Sequence, residues 1–188
     1  LPDQESFKNV SKQLTDNIER NGNKLQTGFL GTAILLPTLT KIGRNDLAYS
    51  LLLQHDNPSW LYSVDQGATT IWERWNSYTL KDGFGDVGMN SFNHYAYGSV
   101  ADWLYGDAAG IKIDESKPAF EHIIFAPLTD DRLNYVKASI ESRFGTVKSE
   151  WRRENGKVSY FFTVPENCTA TVILDGKKTE VTAGEYKF

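Results

Sequence analysis

The chain has few of the residues on which disulfide bonds and metal sites depend. Its 188 residues include one cysteine and three histidines. Because Cys168 is alone, no disulfide can form within the chain, which fits a reducing compartment but also many periplasmic proteins. His55, His94 and His122 are scattered, and no two of them have the spacing of metal ligands. The sequence therefore predicts neither a metal nor any other cofactor.

An excess of positive charge and long apolar runs are also absent. Lysine and arginine total 20 against 24 aspartates and glutamates, which gives a formal net charge of −4 at pH 7. A nucleic-acid partner would require a basic face, so none is expected. No apolar stretch approaches the roughly 20 residues of a membrane span, and no signal peptide is visible. No membrane partner is expected, and the localisation stays open between cytoplasm and periplasm.

Aromatic residues, by contrast, are plentiful, and two of the five tryptophans flank a single carboxylate. The stretch Gly67–Ser77 reads GATTIWERWNS, with Glu73 between Trp72 and Trp75. A sugar site needs aromatic faces on which a pyranose can stack and a carboxylate that takes a proton or a hydroxyl hydrogen bond. The same letters also fit a helix start, with a threonine as N-cap and Glu73 stabilising the first turn. The residues alone leave both interpretations open.

These residues resemble the signature of the bacterial α-L-rhamnosidases, glycoside hydrolases of family 78. The flanking strings NGNKLQTGFLGTAILLPTLTKIG and SFNHYAYGSVADWLYGDAAGI resemble the same family, and the likeness runs from about Asn21 to Ile113 and more weakly to Gly176. The resemblance implies that Glu73, in the W-E-R-W string, is the general base. It also implies that His94, in N-H-Y-A-Y-G, contacts the bound rhamnose. Either Trp72 or Trp75 is expected to line the sugar pocket.

The sequence departs from the family pattern in one respect. The family's general acid belongs to an acidic motif upstream of this region, and no residue here matches that motif. We therefore expect a C-terminal piece of an inverting glycoside hydrolase that removes terminal α-L-rhamnose, carrying the base but not the acid, and inactive alone. Its expected partners are a rhamnose-containing carbohydrate and either the remainder of the parent chain or a self-association partner.

Hydrophobic periodicity divides the chain into a helical part and a β part. Up to about Ser116 apolar residues recur at helical spacing, and the segment from Phe92 to Tyr105 predicts a helix that is buried on most sides. Beyond it, alternating residues and turn signals at Glu154–Lys157 and Asp175-Gly176 predict hairpins of an antiparallel sandwich. We predict the C-terminal portion of an (α/α)6-barrel catalytic domain over residues 1–116, followed by a β-sandwich over 117–188.

Two other functions remain compatible with these residues. The chain could be a carbohydrate-binding or structural fragment without turnover, or part of another (α/α)6-barrel glycosidase with a different sugar specificity. An upstream acidic motif on the same barrel would distinguish the rhamnosidase from a fragment without turnover. If the chain alone had activity, Asp65 and Asp86 would be the first carboxylates to test as the acid.

Overall fold

The computed structural model describes residues 3–188, and the chain divides into two compact units between Val100 and Ala101. The first unit is mainly helical and the second is mainly β-structure, so the predicted order of a helical part followed by a β domain is confirmed. Within residues 3–188, no helix has the length and apolar character needed to cross a membrane. The helices of the first unit are α1 (Gln4–Arg20), α2 (Phe29–Lys41), α3 (Asn45–Leu52) and α4 (Trp60–Asp65).

Local signals set the ends of these helices. Asp3 caps α1, because its Oδ1 accepts the backbone N–H of Ser6 at 2.8 Å. Helix α4 begins in the same way, with the Ser59 hydroxyl accepting the N–H of Tyr62 at 3.1 Å. The core of this unit is built mainly from apolar side chains of α2 and α3, which include Leu35, Leu36, Leu39, Leu47, Tyr49 and Leu51.

The stretch from residue 66 to residue 95 is largely irregular. It contains the two-residue strands β1 (Tyr78–Thr79) and β2 (Gly83–Phe84), which pair antiparallel, and a 3-10 turn at Val87–Met89. The W-E-R-W string lies before β1 in a loop, so the alternative of a helix start at that string is wrong. A loop lets successive side chains diverge, and it leaves the backbone free to bond to other segments.

The helix predicted from Phe92 to Tyr105 starts later in the structure than predicted, and it is not a regular α-helix. The chain becomes helical only at Ala96, with a 3-10 turn Ala96–Ser99, helix α5 (Val100–Trp103) and a π turn Leu104–Ala108. Burial is also uneven, since Trp103 is 1% exposed but Tyr95 is 88% exposed. The residues before Ala96 are not helical because their backbone bonds to the loop that carries Glu73.

The second unit contains two four-stranded sheets. The turns at Asn155-Gly156 and Asp175-Gly176 each have two residues with positive φ, which matches the tight hairpin turns predicted there. One pairing differs from the predicted antiparallel arrangement: strands β4 (His122–Phe125) and β8 (Thr169–Leu174) run parallel to each other. The first sheet has the order β3-β4-β8-β9, formed by Ile111–Ile113, His122–Phe125, Thr169–Leu174 and Lys177–Val181. The second sheet has the order β10-β7-β6-β5, formed by Gly184–Lys187, Lys157–Val164, Gly145–Glu154 and Tyr135–Ser142.

Residues that precede Ser116 contribute to this second unit. The buried Trp151 donates its Nε1–H to the carbonyl of Ala108 at 2.9 Å, and the buried Ser149 donates to the carbonyl of Ala109 at 2.5 Å. The chain thus passes from the first unit to the second before Ser116, because the segment after Val100 bonds to the sheets. The division at residues 116 and 117 stays a prediction about domain limits.

Candidate active site

Glu73 and Ser91 hold each other through two hydrogen bonds. The backbone N–H of Glu73 donates to the carbonyl of Ser91 at 2.9 Å, and the N–H of Ser91 donates to Oε2 of Glu73 at 2.8 Å. The group that holds the Glu73 carboxylate is therefore a backbone N–H and not a flexible side chain. Within residues 3–188 the other carboxylate oxygen, Oε1, has no hydrogen-bond partner, so it is the oxygen left to accept a hydrogen bond from a ligand.

His94 is attached to the same loop on its other side. Its backbone N–H donates to the carbonyl of Ile71 at 2.9 Å, and its ring stacks on Phe29 with centroids 4.7 Å apart. The Nδ1 atom accepts the N–H of Ala96 at 3.4 Å. This contact requires an unprotonated Nδ1, so in the neutral ring the proton is on Nε2. His94 can therefore donate one hydrogen bond from Nε2 to a ligand.

These contacts join two segments that are distant along the chain. Residues 70–73 and 91–94 are linked by the Glu73–Ser91 and Ile71–His94 bonds and by a hydrogen bond from the Thr70 hydroxyl to the carbonyl of Phe92. The two residues singled out by the sequence, Glu73 and His94, thus lie on mutually bonded segments. Such an arrangement can present a proton acceptor and a hydroxyl-directed donor to one ligand.

Trp72 lies behind these segments. It is 7% exposed, and its ring meets Phe92 edge to face with centroids 5.3 Å apart. A buried ring with its contact area taken by Phe92 serves as packing, because little of its face is left for a sugar.

Trp75 is half-buried and belongs to a row of rings that ends at His94. It stacks on Tyr97 at 3.8 Å, Tyr97 meets Phe29 at 5.1 Å, and Phe29 in turn stacks on His94. Trp60, 8% exposed, supports the row by donating its Nε1–H to the carbonyl of Tyr97 at 2.9 Å. The row ties the orientation of His94 to that of Trp75.

The other carboxylates named from the sequence have partners away from Glu73. Asp65 bonds Nδ1 of His55 at 2.7 Å, and Asp86 accepts the N–H of Gly88 at 2.8 Å. In residues 3–188 no three His, Cys, Asp or Glu side chains are grouped so as to hold a metal ion. Four grooves with volumes of about 330 to 640 Å³ are lined by residues other than Glu73 and His94.

Sequence reasoning missed two residues that shape this site. Ser91 acts through its main-chain N–H and carbonyl, which no side-chain pattern reveals. Phe29 is the first residue of helix α2, and its contact with His94 joins positions 65 residues apart in the sequence. Only the folded chain brings these groups to Glu73 and His94.

Comparison with known proteins gives a consistent result over both units. Residues 1–108 match the family model described as the bacterial alpha-L-rhamnosidase 6 hairpin glycosidase domain. Residues 110–188 match the model described as the bacterial alpha-L-rhamnosidase C-terminal domain. An alpha-L-rhamnosidase of Formosa agariphila is 39% identical over 180 residues, which is 96% of this chain and 19% of that protein.

Two solved structures have the same architecture over nearly the whole chain. The alpha-L-rhamnosidase of Streptomyces avermitilis, complexed with L-rhamnose, superposes with a TM-score of 0.87 and 37% identity over 94% of this chain and 19% of that one. The native enzyme of Aspergillus terreus superposes with a TM-score of 0.90 and 36% identity over 100% of this chain and 22% of that one. The present chain thus spans about a fifth of the length of these relatives.

Proposed function

This chain belongs to the bacterial α-L-rhamnosidase family, and on that premise we propose that it is part of an inverting glycoside hydrolase that removes terminal α-L-rhamnose. The observation that supports this proposal most directly is the joining of Glu73 and His94 by the paired segments 70–73 and 91–94. A base and a sugar-binding group must reach the same ring, and this pairing fixes both. The full-length protein that carries this chain would perform the reaction.

Glu73 is the general base of the proposal. In an inverting enzyme one carboxylic acid protonates the leaving oxygen, while a second carboxylate activates water on the opposite face of the sugar. With Oε2 of Glu73 bonded to the N–H of Ser91, Oε1 is the oxygen that removes the proton from that water. The two main-chain bonds hold the carboxylate in place, so little reorganisation is needed during the reaction.

His94 and the neighbouring tryptophans bind the rhamnose ring in the proposal. The Nε2–H of His94 donates to a ring hydroxyl, and the stack on Phe29 fixes the direction of that bond. Of the two tryptophans, the half-buried Trp75 is better placed than the buried Trp72 to offer a ring face. Trp72 then supports the loop from behind.

The remainder of the parent chain completes the site. The general acid comes from that remainder, since Asp65 and Asp86 are bonded elsewhere. The helical unit contributes the C-terminal portion of an (α/α)6 barrel, and the β unit follows it as the C-terminal domain. The exposed apolar side chains of α2, Leu30 at 89% and Ile34 at 65%, are surfaces that the other barrel helices would cover.

The stereochemistry of the first product tests the proposal. The full-length protein is mixed with an aryl α-L-rhamnoside, and the anomeric protons are followed by NMR from the first turnovers. We expect β-L-rhamnose to appear first and to mutarotate afterwards. Appearance of the α anomer first would exclude water activation by Glu73, and a failure to release rhamnose would exclude the substrate class.

A further inference from the structure

The outer face of the sheet β10-β7-β6-β5 carries an ordered row of side chains. The inner face packs on the core, while strand register aligns Lys137, Glu150, Phe161 and Lys187 across all four strands of the outer face. The neighbouring row begins with Tyr135, which lies opposite Arg152. Because side chains alternate along a strand, all of these groups point away from the core.

Two adjoining grooves lie along this outer face. One has a volume of about 640 Å³ and the other about 330 Å³, and both are lined by Lys137 and Glu150. The two grooves adjoin at these shared residues, and the track over both of them is here called the sheet-face groove. The track is long enough to hold several linked sugar rings rather than one, since the Cα atoms of Tyr135 and Phe161 are about 12 Å apart by strand spacing and rise.

The charge of the sheet-face groove is opposite in sign to that of the chain. The chain carries a net charge of −4, whereas cationic side chains outnumber carboxylates in the groove. The cations are Lys137, Lys148, Arg152, Arg153 and Lys187, and the carboxylates are Glu150, Glu154 and Glu185. Local excess positive charge on an acidic chain attracts anionic ligands to this face.

Aromatic rings stand among these charges. The Lys187 Nζ and the Arg152 Cζ lie 5.4 Å and 5.7 Å from the centroid of Phe161, within cation–π range. Tyr135, at the other groove, is 66% exposed. Aromatic faces of this kind can stack on the apolar face of a pyranose.

We propose that the sheet-face groove binds an oligosaccharide that contains uronic-acid carboxylates. Phe161 and Tyr135 contact the sugar faces, and Lys187 and Lys137 bind the carboxylates. The Oε1 atom of Glu150 is held by the Arg152 Nε–H, so Glu150 accepts a ligand hydroxyl through its other oxygen. The inference goes beyond rhamnose release, because it uses none of the residues assigned to that reaction.

The mixed charge of the groove favours this ligand over other polyanions. A densely sulfated glycan carries more than one negative charge per sugar, and the three carboxylates in the groove would repel it. A uronic-acid glycan carries no more than one carboxylate per sugar and has hydroxyls beside it, and the groove offers both cations and carboxylate acceptors to match them.

Calorimetric titration of the full-length protein tests this proposal. The probes are tetragalacturonate, its neutral methyl ester and a heparin tetrasaccharide. We expect tetragalacturonate to bind, the other two to bind about tenfold more weakly, and its affinity to fall with added salt. Lys187→Glu should weaken tetragalacturonate binding about tenfold, and Phe161→Ala should weaken it similarly, whereas Phe161→Tyr retains it.

The control is Lys177→Glu, which reverses the same charge at an exposed lysine of the other sheet. The proposal would be overturned if tetragalacturonate did not bind. It would also be overturned if the methyl ester bound as tightly as tetragalacturonate, or if the heparin probe bound more tightly. A Lys187→Glu variant that binds like the Lys177→Glu control would overturn it too. Hydrolysis of an aryl rhamnoside should be unchanged in all these variants, so failure here is distinguishable from failure of the proposed hydrolysis.

Discussion

Glu73 and Ser91 form a reciprocal pair, in which each residue donates one hydrogen bond to the other and accepts one from it. The N–H of Glu73 reaches the Ser91 carbonyl at 2.9 Å, and the Ser91 N–H reaches Oε2 of Glu73 at 2.8 Å. The carboxylate is therefore positioned by the backbone of a segment that is far from it in sequence. The side chain of Ser91 plays no part in these two bonds.

Replacement of Glu73 by glutamine removes the proposed base but keeps the hydrogen bond that positions its side chain. The amide oxygen of Glu73→Gln can still accept the Ser91 N–H, so the loop keeps its geometry while the base is lost. We expect aryl rhamnoside hydrolysis by the full-length protein to fall by about 10²- to 10⁴-fold, the usual contribution of a general base.

The matched variant is Ser91→Ala, which keeps the main-chain N–H and carbonyl. It should leave kcat within about threefold of wild type, because both bonds to Glu73 use main-chain atoms of Ser91. Activity of Glu73→Gln within a few-fold of wild type would rule out Glu73 as the base.

Replacement of His94 by phenylalanine tests its role in binding. A phenyl ring keeps the stack on Phe29 but has no Nε2–H to donate. We expect KM and the Kd for L-rhamnose to rise by about tenfold, since a neutral hydrogen bond is worth about 1 kcal/mol or somewhat more, while the melting temperature changes little. Unchanged KM and Kd values in a folded His94→Phe variant would show that this histidine only packs.

The isolated 188-residue chain should be inactive and should self-associate. Leu30 and Ile34 lie one turn apart on α2 and are strongly exposed, so they form an apolar patch that seeks a partner. The measurements are solution mass and turnover of an aryl rhamnoside. A double variant, Leu30→Glu with Ile34→Lys, should lower the mass toward that of a monomer.

Lys41→Glu is the control for that experiment, because it changes charge on the same helix without removing apolar surface. It should self-associate like the unmodified chain. A monomeric unmodified chain with appreciable turnover would contradict the prediction, and Asp65 and Asp86 would then be the first carboxylates to replace.

Trp151 should contribute strongly to the stability of the β unit. It is fully buried and donates to the carbonyl of Ala108. Trp151→Phe leaves that carbonyl unpaired and opens a cavity, so we expect a loss of about 3 kcal/mol in the free energy of unfolding, measured by urea denaturation. Tyr135→Phe, at an exposed position, should cost about 0.5 kcal/mol or less. Equal stability of the two variants would contradict a structural role for the bond to Ala108.

The sequence by itself determined the order of the two structural classes and the tight hairpins. The apolar residues recur at helical spacing in the first part of the chain and at alternate positions in the second part. Both patterns depend on residues that are neighbours in sequence. The Asn155-Gly156 and Asp175-Gly176 turns follow equally from local preference, because these residue types tolerate positive φ. The long strings around Glu73 and His94 also sufficed to identify the family, which the two family models confirm.

The tertiary structure alone decided how the candidate site is built. The W-E-R-W string, which the sequence left open between a helix start and a sugar site, lies in a loop whose Glu73 backbone N–H bonds to the Ser91 carbonyl. The helix expected from Phe92 starts only at Ala96, since the preceding residues pair with that loop. The parallel pairing of β4 with β8 likewise joins strands far apart in the chain. Main-chain hydrogen bonds between distant segments carry no side-chain signal, so only the folded chain could specify them.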